Sequence, residues 1–361
     1  MVRAVRAGAP GTLRGIAREA AGDLLKGECR AGQRRKDEEM FDSVEDVQKR
    51  LADERYITDK RVATVVYLAL KMTKPVLIEG PAGVGKTELA KVVASALNQP
   101  LIRLQCYEGL DEAKALYEWE YSKQLLYTQI LKDKIGEVLE DAPTIRQAVE
   151  KIGREDNVFF SERFLVPRPL LRAITTTTPS VLLVDEVDKS DPEFEAFLLE
   201  VLSDFQVSVP EIGTFKARQI PPVFLTSNNA REMSDALKRR CLHLYIDYPT
   251  PEQESRIIEL KVPGIREALT AEVVAAVHRI RDLDLKKTPS ISETLDWARA
   301  LVLLNADTLD EATVEETLSL ILKYEGDIKK AQEELNRYLR SKNAPGPRRG
   351  GEGVVDKSKL N

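Results

Sequence analysis

Residues Gly80 to Thr87 read GPAGVGKT, a fit to GxxxxGK(S/T), between the apolar run Val76-Leu77-Ile78 and a helical pattern. Strand, glycine-rich loop, then helix is the order that gives this motif its meaning. Glycines let the backbone curl until several N–H groups point inward, and the start of the helix adds its dipole, so the loop suits phosphate oxygens. Lys86 is placed to neutralise the β- and γ-phosphates of a nucleoside triphosphate, and Thr87 to offer a hydroxyl to Mg2+. The candidate nucleotide-binding residues are Gly80, Pro81, Ala82, Gly83, Val84, Gly85, Lys86, Thr87 and Glu88. A chance glycine-rich turn would not need the strand before it and the helix after it.

About one hundred residues later, Val181 to Glu186 reads VLLVDE, an apolar strand that ends in two adjacent carboxylates. Ligands of open α/β sheets lie at the C-terminal ends of strands, so Asp185 is delivered to the metal-bound phosphates. Asp185 is assigned to Mg2+ through its water shell, and Glu186 to orienting and polarising the attacking water. Apolar strands often end in acids, and it is the distance from the glycine-rich loop that makes this one specific. The second carboxylate favours hydrolysis over transfer to a bound metabolite. At the end of another apolar run lies Thr226-Ser227-Asn228, where the Asn228 amide could bond both the γ-phosphate and the lytic water. A turn-forming asparagine pair is the other reading of that stretch. Arg239 and Arg240, in Ala236 to Cys241, also admit a plain reading as a solvated helix end, where cations are favoured in any case.

These groups need a scaffold that presents strand ends side by side. Apolar residues recur at helical spacing from Tyr56 to Met72, and strands are expected at Val76–Ile78, Leu101–Cys106, Val181–Val184 and Val223–Thr226, with a helix from Glu88 to Leu97. Such alternation implies an α/β fold, a parallel sheet with helices on both faces. An insert of about 108–170 separates the second and third strands and contains a helical stretch and the strand-like Val158 to Val166. Inserts this long in a compact domain are usually functional. A β-hairpin is expected over 205–218, around Pro210-Glu211-Ile212-Gly213. The expected division is an α/β core over 40–248 and a smaller all-helical lid over 249–340. A disordered tail over 341–361 and an extension over 1–39 complete it. The extension has two readings, a segment upstream of a natural start at Met40 or an Arg-rich transit peptide.

With 43% hydrophobic and 31% charged residues the chain reads as soluble and cytoplasmic, and no apolar run approaches a membrane span. A net charge of −5 speaks against nucleic acid as the main partner. Cys29, Cys106 and Cys241 show no CxxC spacing and only His243 and His278 accompany them, so reduced, buried thiols are expected rather than disulfides or zinc. Trp297 and Leu301 are expected in the core of the helical domain, and His243 as a packed residue of an apolar strand. Tyr107-Glu108-Gly109 and Glu118-Trp119-Glu120-Tyr121 admit partner contact and packing equally.

The order of these motifs resembles the AAA+ ATPases, and more narrowly the MoxR family, across roughly 40–340. The resemblance implies ATP as cofactor with Mg2+, hydrolysis at the interfaces of a homo-hexameric ring, and a chaperone-like action on a client protein. Arg240 aligns with the arginine finger that reaches into the neighbouring subunit, with Arg239 as second candidate; such a finger is worth about 10³ to 10⁵ in rate. The catalytic set is then Glu186, Asn228 and Arg240, the metal set Thr87 and Asp185. The insert and hairpin match elements that the family projects toward the pore or substrate. Asp185-Glu186-Val187-Asp188-Lys189 stands where many members read DEINR, and Ser290-Ile291-Ser292-Glu293-Thr294 departs from their Ser-x-Arg, leaving the sensor-2 role open, with Arg299 as one alternative. The family resemblance also implies a von Willebrand A domain partner, and Arg103 to Leu110 with Ser290 to Trp297 resemble the branch linked to maturation of carbon monoxide dehydrogenase-type molybdenum enzymes, which implies a metalloenzyme client. A nucleic-acid-stimulated motor on the same core is the rival expectation.

Overall fold

The computed structural model describes residues 40–127, 129, 164–210 and 212–343. The expectations for 1–39, for 344–361 and for most of the insert lie outside those residues. The described residues form two compact units, one of 40–80 with those of Lys86–Tyr245, the other of Pro81–Gly85 with 246–343.

In the first unit, helix α1 (Val44–Asp53) starts at Ser43, whose hydroxyl accepts the Asp46 N–H at 3.1 Å. Helix α2 (Lys60–Met72) starts at Asp59, whose carboxylate accepts the Val62 N–H at 2.7 Å, and it stops at Thr73 in the left-handed region. Each cap satisfies a donor that the first turn would leave orphaned. Strand β1 (Val76–Glu79) leads through the glycine-rich loop into α3 (Lys86–Ala96), and β2 (Leu101–Gln105) follows. A short helix α4 (Glu112–Leu116) runs into β3 (Tyr117–Trp119), which pairs antiparallel with β4 (Leu165–Pro167). This pairing closes the base of the insert and gives Glu118-Trp119 a place in a ribbon; Tyr117 and Trp119 also meet edge to face at 5.8 Å.

The segment from Pro169 belongs to the core. Helix α5 (Pro169–Thr175) buries Leu170, Leu171, Ala173 and Ile174 in the same apolar cluster as Ile102 and Leu182. Then come β5 (Val181–Asp185), α6 (Pro192–Asp204), the antiparallel pair β6 (Gln206–Val209) and β7 (Gly213–Lys216), β8 (Val223–Ser227), α7 (Asp235–Arg240) and β9 (Leu242–Tyr245).

Five strands form one parallel sheet in the order β2-β5-β8-β1-β9. Every residue of β5 and of β8 is buried, so both faces of the sheet centre are covered, as parallel sheets require. The edge strand β9 corrects one expectation. His243 is 49% exposed and bonds Glu79 Oε2 at 2.6 Å, because an edge strand lacks the cover that packs a central residue.

The second unit is helical: α8 (Pro251–Lys261), α9 (Glu267–Arg281), α10 (Ile291–Leu303), α11 (Glu311–Thr317) and α12 (Glu325–Asn343). Thr250 with Gln253 and Ser290 with Glu293 form capping boxes that fix the starts of α8 and α10. Trp297 and Leu301 are fully buried in its core, and the Trp297 indole donates to Thr317 Oγ1 at 2.8 Å. The Glu254 carboxylate, also fully buried, accepts both terminal nitrogens of Arg281 at 2.7 and 2.9 Å and shares a 2.9 Å bond with His278. Among the described residues, no helix is long and apolar enough to cross a membrane.

Candidate functional site at the strand ends

Because β5 lies between β2 and β8, the carboxylates at its C-terminus meet polar groups delivered by both neighbours. Asp185 is almost fully buried. Its Oδ1 accepts the Thr87 hydroxyl at 2.8 Å and the Thr226 hydroxyl at 2.5 Å, and its Oδ2 accepts Arg103 Nε at 3.0 Å and an Arg103 terminal nitrogen at 2.5 Å. A buried carboxylate stays ionised only when compensated in this way.

Glu186 leaves the strand in the left-handed region, with φ 57° and ψ 50°. Such a conformation costs a non-glycine residue about 1–3 kcal/mol and is found where structure over-determines it. Three donors hold its carboxylate: Gln105 Nε2 at 2.8 Å, Lys189 Nζ at 2.7 Å and Asn228 Nδ2 at 3.3 Å. Lys189 is pushed above the usual lysine range by its hydrogen bond to Glu186. Lys86 is buried and donates to the Gly80 carbonyl and to Asn228 Oδ1, each at 2.7 Å. Burial lowers its pKa, while Asp188, Asp185 and Glu186 pull the other way.

The structure thus brings Lys86, Thr87, Asp185, Glu186 and Asn228 together. Asn228 is itself anchored, because Asp188 Oδ2 accepts its N–H at 3.1 Å and that of Ala230 at 3.0 Å. Within the loop, Gly83 and Gly85 have φ of 74° and 95°. A Cβ on Gly83 would stand 2.4 Å from that of Ser290 in the same unit, so any larger residue is excluded there. Glu88 faces Lys91 one turn on at 3.7 Å. Arg240 takes no part in the cluster: it is exposed and donates to the Leu199 carbonyl within α6, and Arg239 beside it is exposed. Arg299 pairs with Asp296, and Glu293 with Lys287 and the Ser290 N–H.

Arg103, Gln105, Asp188, Lys189 and Thr226 did not enter the sequence reading as site residues. The signal that could have found the first two was their spacing, since residues two apart in a strand share a face. Thr87 and Asp185 offer oxygen donors side by side, which suits a hard cation such as Mg2+ that keeps much of its water. No group of three or more His, Cys, Asp or Glu residues forms a metal cage among the described residues. Such a cation would therefore rely on phosphate oxygens and water as well.

Residues 75–241 match the family model for the AAA domain (dynein-related subfamily), a span from the start of β1 to the end of α7. The denitrification regulatory protein NirQ of Stutzerimonas stutzeri is 25% identical over 237 residues, 63% of this chain and 72% of NirQ. The gas vesicle ATPase GvpN of Haloferax mediterranei is 26% identical over 257 residues, 64% of this chain and 66% of GvpN. Residues 75–241 are thus an AAA ATPase domain, and the chain is similar to MoxR-like AAA+ ATPases. Among solved structures, the Thermotoga maritima RuvB Holliday junction branch migration motor aligns over 72% of this chain and 67% of its own. Its TM-score is 0.39 at 18% identity, too slight to argue from. The matched span contains every residue of the polar cluster.

Proposed function

We propose that this ATPase binds ATP with Mg2+ between the subunits of a homo-hexameric ring and uses hydrolysis to remodel a client protein in the cytoplasm. The observation that carries the reading is the convergence of Glu186 and Asn228 beside Lys86, with Asn228 bonded to both. Lys86 neutralises the β- and γ-phosphates, and Thr87 with Asp185 would hold the cation, which would offset phosphate charge. Glu186 takes the proton of the attacking water as its O–P bond forms and the bond from the γ-phosphorus to the bridging oxygen breaks, ADP leaving with that electron pair, and Asn228 orients the water against the γ-phosphate. Arg240 supplies positive charge to a neighbouring subunit; its exposed position outside its own cluster fits service in trans. The client is a metalloenzyme of the molybdenum hydroxylase type, reached with a von Willebrand A domain partner; the support is the family resemblance of Arg103–Leu110 and Ser290–Trp297.

The test mixes two variants that are each inactive alone, Glu186→Gln and Arg240→Ala, at constant total concentration. Intact arginines from the first serve intact glutamates of the second, so hydrolysis returns on mixing. Continued inactivity of a demonstrably mixed assembly would show that Arg240 acts within its own subunit.

A further inference from the structure

Asp185 already has a cation. Arg103 reaches it from β2, paired at 2.5 Å, while the two hydroxyls of Thr87 and Thr226 take the other carboxylate oxygen. The two partners differ in burial: the Asp185 side chain is 2% exposed and that of Arg103 is 48% exposed. A carboxylate so enclosed must be neutralised whether or not a metal is bound, whereas a half-exposed guanidinium can swing into water with little loss of hydration. Arg103 also donates to Gln105 Oε1, so it has a second partner on its own strand.

We infer that Arg103 is a displaceable counter-ion that holds Asp185 ready for Mg2+ and competes with the ion for it. This inference rests on the reading of Asp185 as the magnesium carboxylate. When hydrated Mg2+ arrives with the nucleotide, its charge replaces that of the guanidinium at Oδ2 and Arg103 turns outward. No covalent bond changes. Competition raises the Mg2+ concentration needed for nucleotide binding, so the site fills only when metal and nucleotide arrive together.

The experiment follows binding of a fluorescent ATP analogue to the full chain while Mg2+ is titrated, with circular dichroism to verify folding of each variant. Arg103→Gln, which removes the charge, lowers the half-saturating Mg2+ concentration about tenfold, and Arg103→Lys stays near the unaltered protein. Without Mg2+ the melting temperature of Arg103→Gln falls below that of the unaltered protein, and the gap narrows once Mg2+ and analogue are present. A half-saturating Mg2+ concentration that is unchanged or higher in folded Arg103→Gln overturns the inference, because Arg103 would then be structural or would assist the metal. Asp185→Asn separates the two levels: if its Mg2+ dependence equals that of the unaltered protein, the reading of Asp185 itself fails.

Discussion

The Thr226 hydroxyl donates to Asp185 Oδ1 at 2.5 Å and, on the same oxygen, accepts the Glu186 N–H at 2.9 Å. One side chain of β8 therefore fixes the direction of a carboxylate and the strained backbone of the residue after it. Thr226→Val keeps the shape but leaves the Glu186 N–H without this acceptor, at about 1–3 kcal/mol. Denaturant midpoints of the variant should fall accordingly and its hydrolysis rate should drop, while Thr226→Ser stays near the parent in both.

In the proposed mechanism Glu186 is the base, held in place by Gln105, Lys189 and Asn228. Glu186→Gln is accordingly expected to keep nucleotide affinity within a few-fold and to lose about 10² or more in turnover. Parallel measurements of binding by fluorescence and of phosphate release separate the two quantities. Equal losses in both would assign Glu186 to binding instead.

The pair of Glu254 and Arg281 is buried within the helical unit, with side chains 0% and 8% exposed. Removing one partner strands the other charge in the interior. Glu254→Ala is expected to destabilise that unit by about 3–5 kcal/mol, and a well-packed apolar replacement of both residues by much less. Thermal unfolding followed at Trp297, which lies in the same core, reads the difference.

Burial pushes the thiols of Cys106 and Cys241 from 9.0 up to about 12. At pH 8 both should react with iodoacetamide only as the fold opens, which mass spectrometry of the two peptides can time against a urea-unfolded control. The sign of the linkage follows from the raised values. The contribution of each buried thiol to stability is complete below pH 9, where both states are protonated, and is lost as pH climbs toward 12 because the unfolded chain releases its protons first. Replacing both by alanine should flatten that part of the pH–stability curve.

The amino-acid sequence by itself determined what is local. GPAGVGKT is a contiguous loop whose flanking strand and helix are written in the adjoining residues, and the apolar run ending in Asp185-Glu186 carries its own direction. Buried strands show as unbroken apolar runs, so β1, β5 and β8 were legible. So was Trp297 as core, from its helical spacing with Leu301.

What the tertiary structure alone decided is which strand ends are neighbours. Arg103 lies 82 residues from the carboxylate it neutralises, and Gln105 81 residues from the one it holds. Their partners follow from the β2-β5-β8 order and from the register that sets Gln105 opposite Asp185. Side-chain periodicity says which face of a strand is covered and nothing about which strand lies beside it. His243 marks the same limit, since only the sheet order makes β9 an edge and leaves that residue half in water. Spacing along the chain encodes the local geometry of a phosphate loop, whereas a counter-ion brought from another strand exists only after the sheet has formed, because long-range pairing is selected by the burial of the whole core.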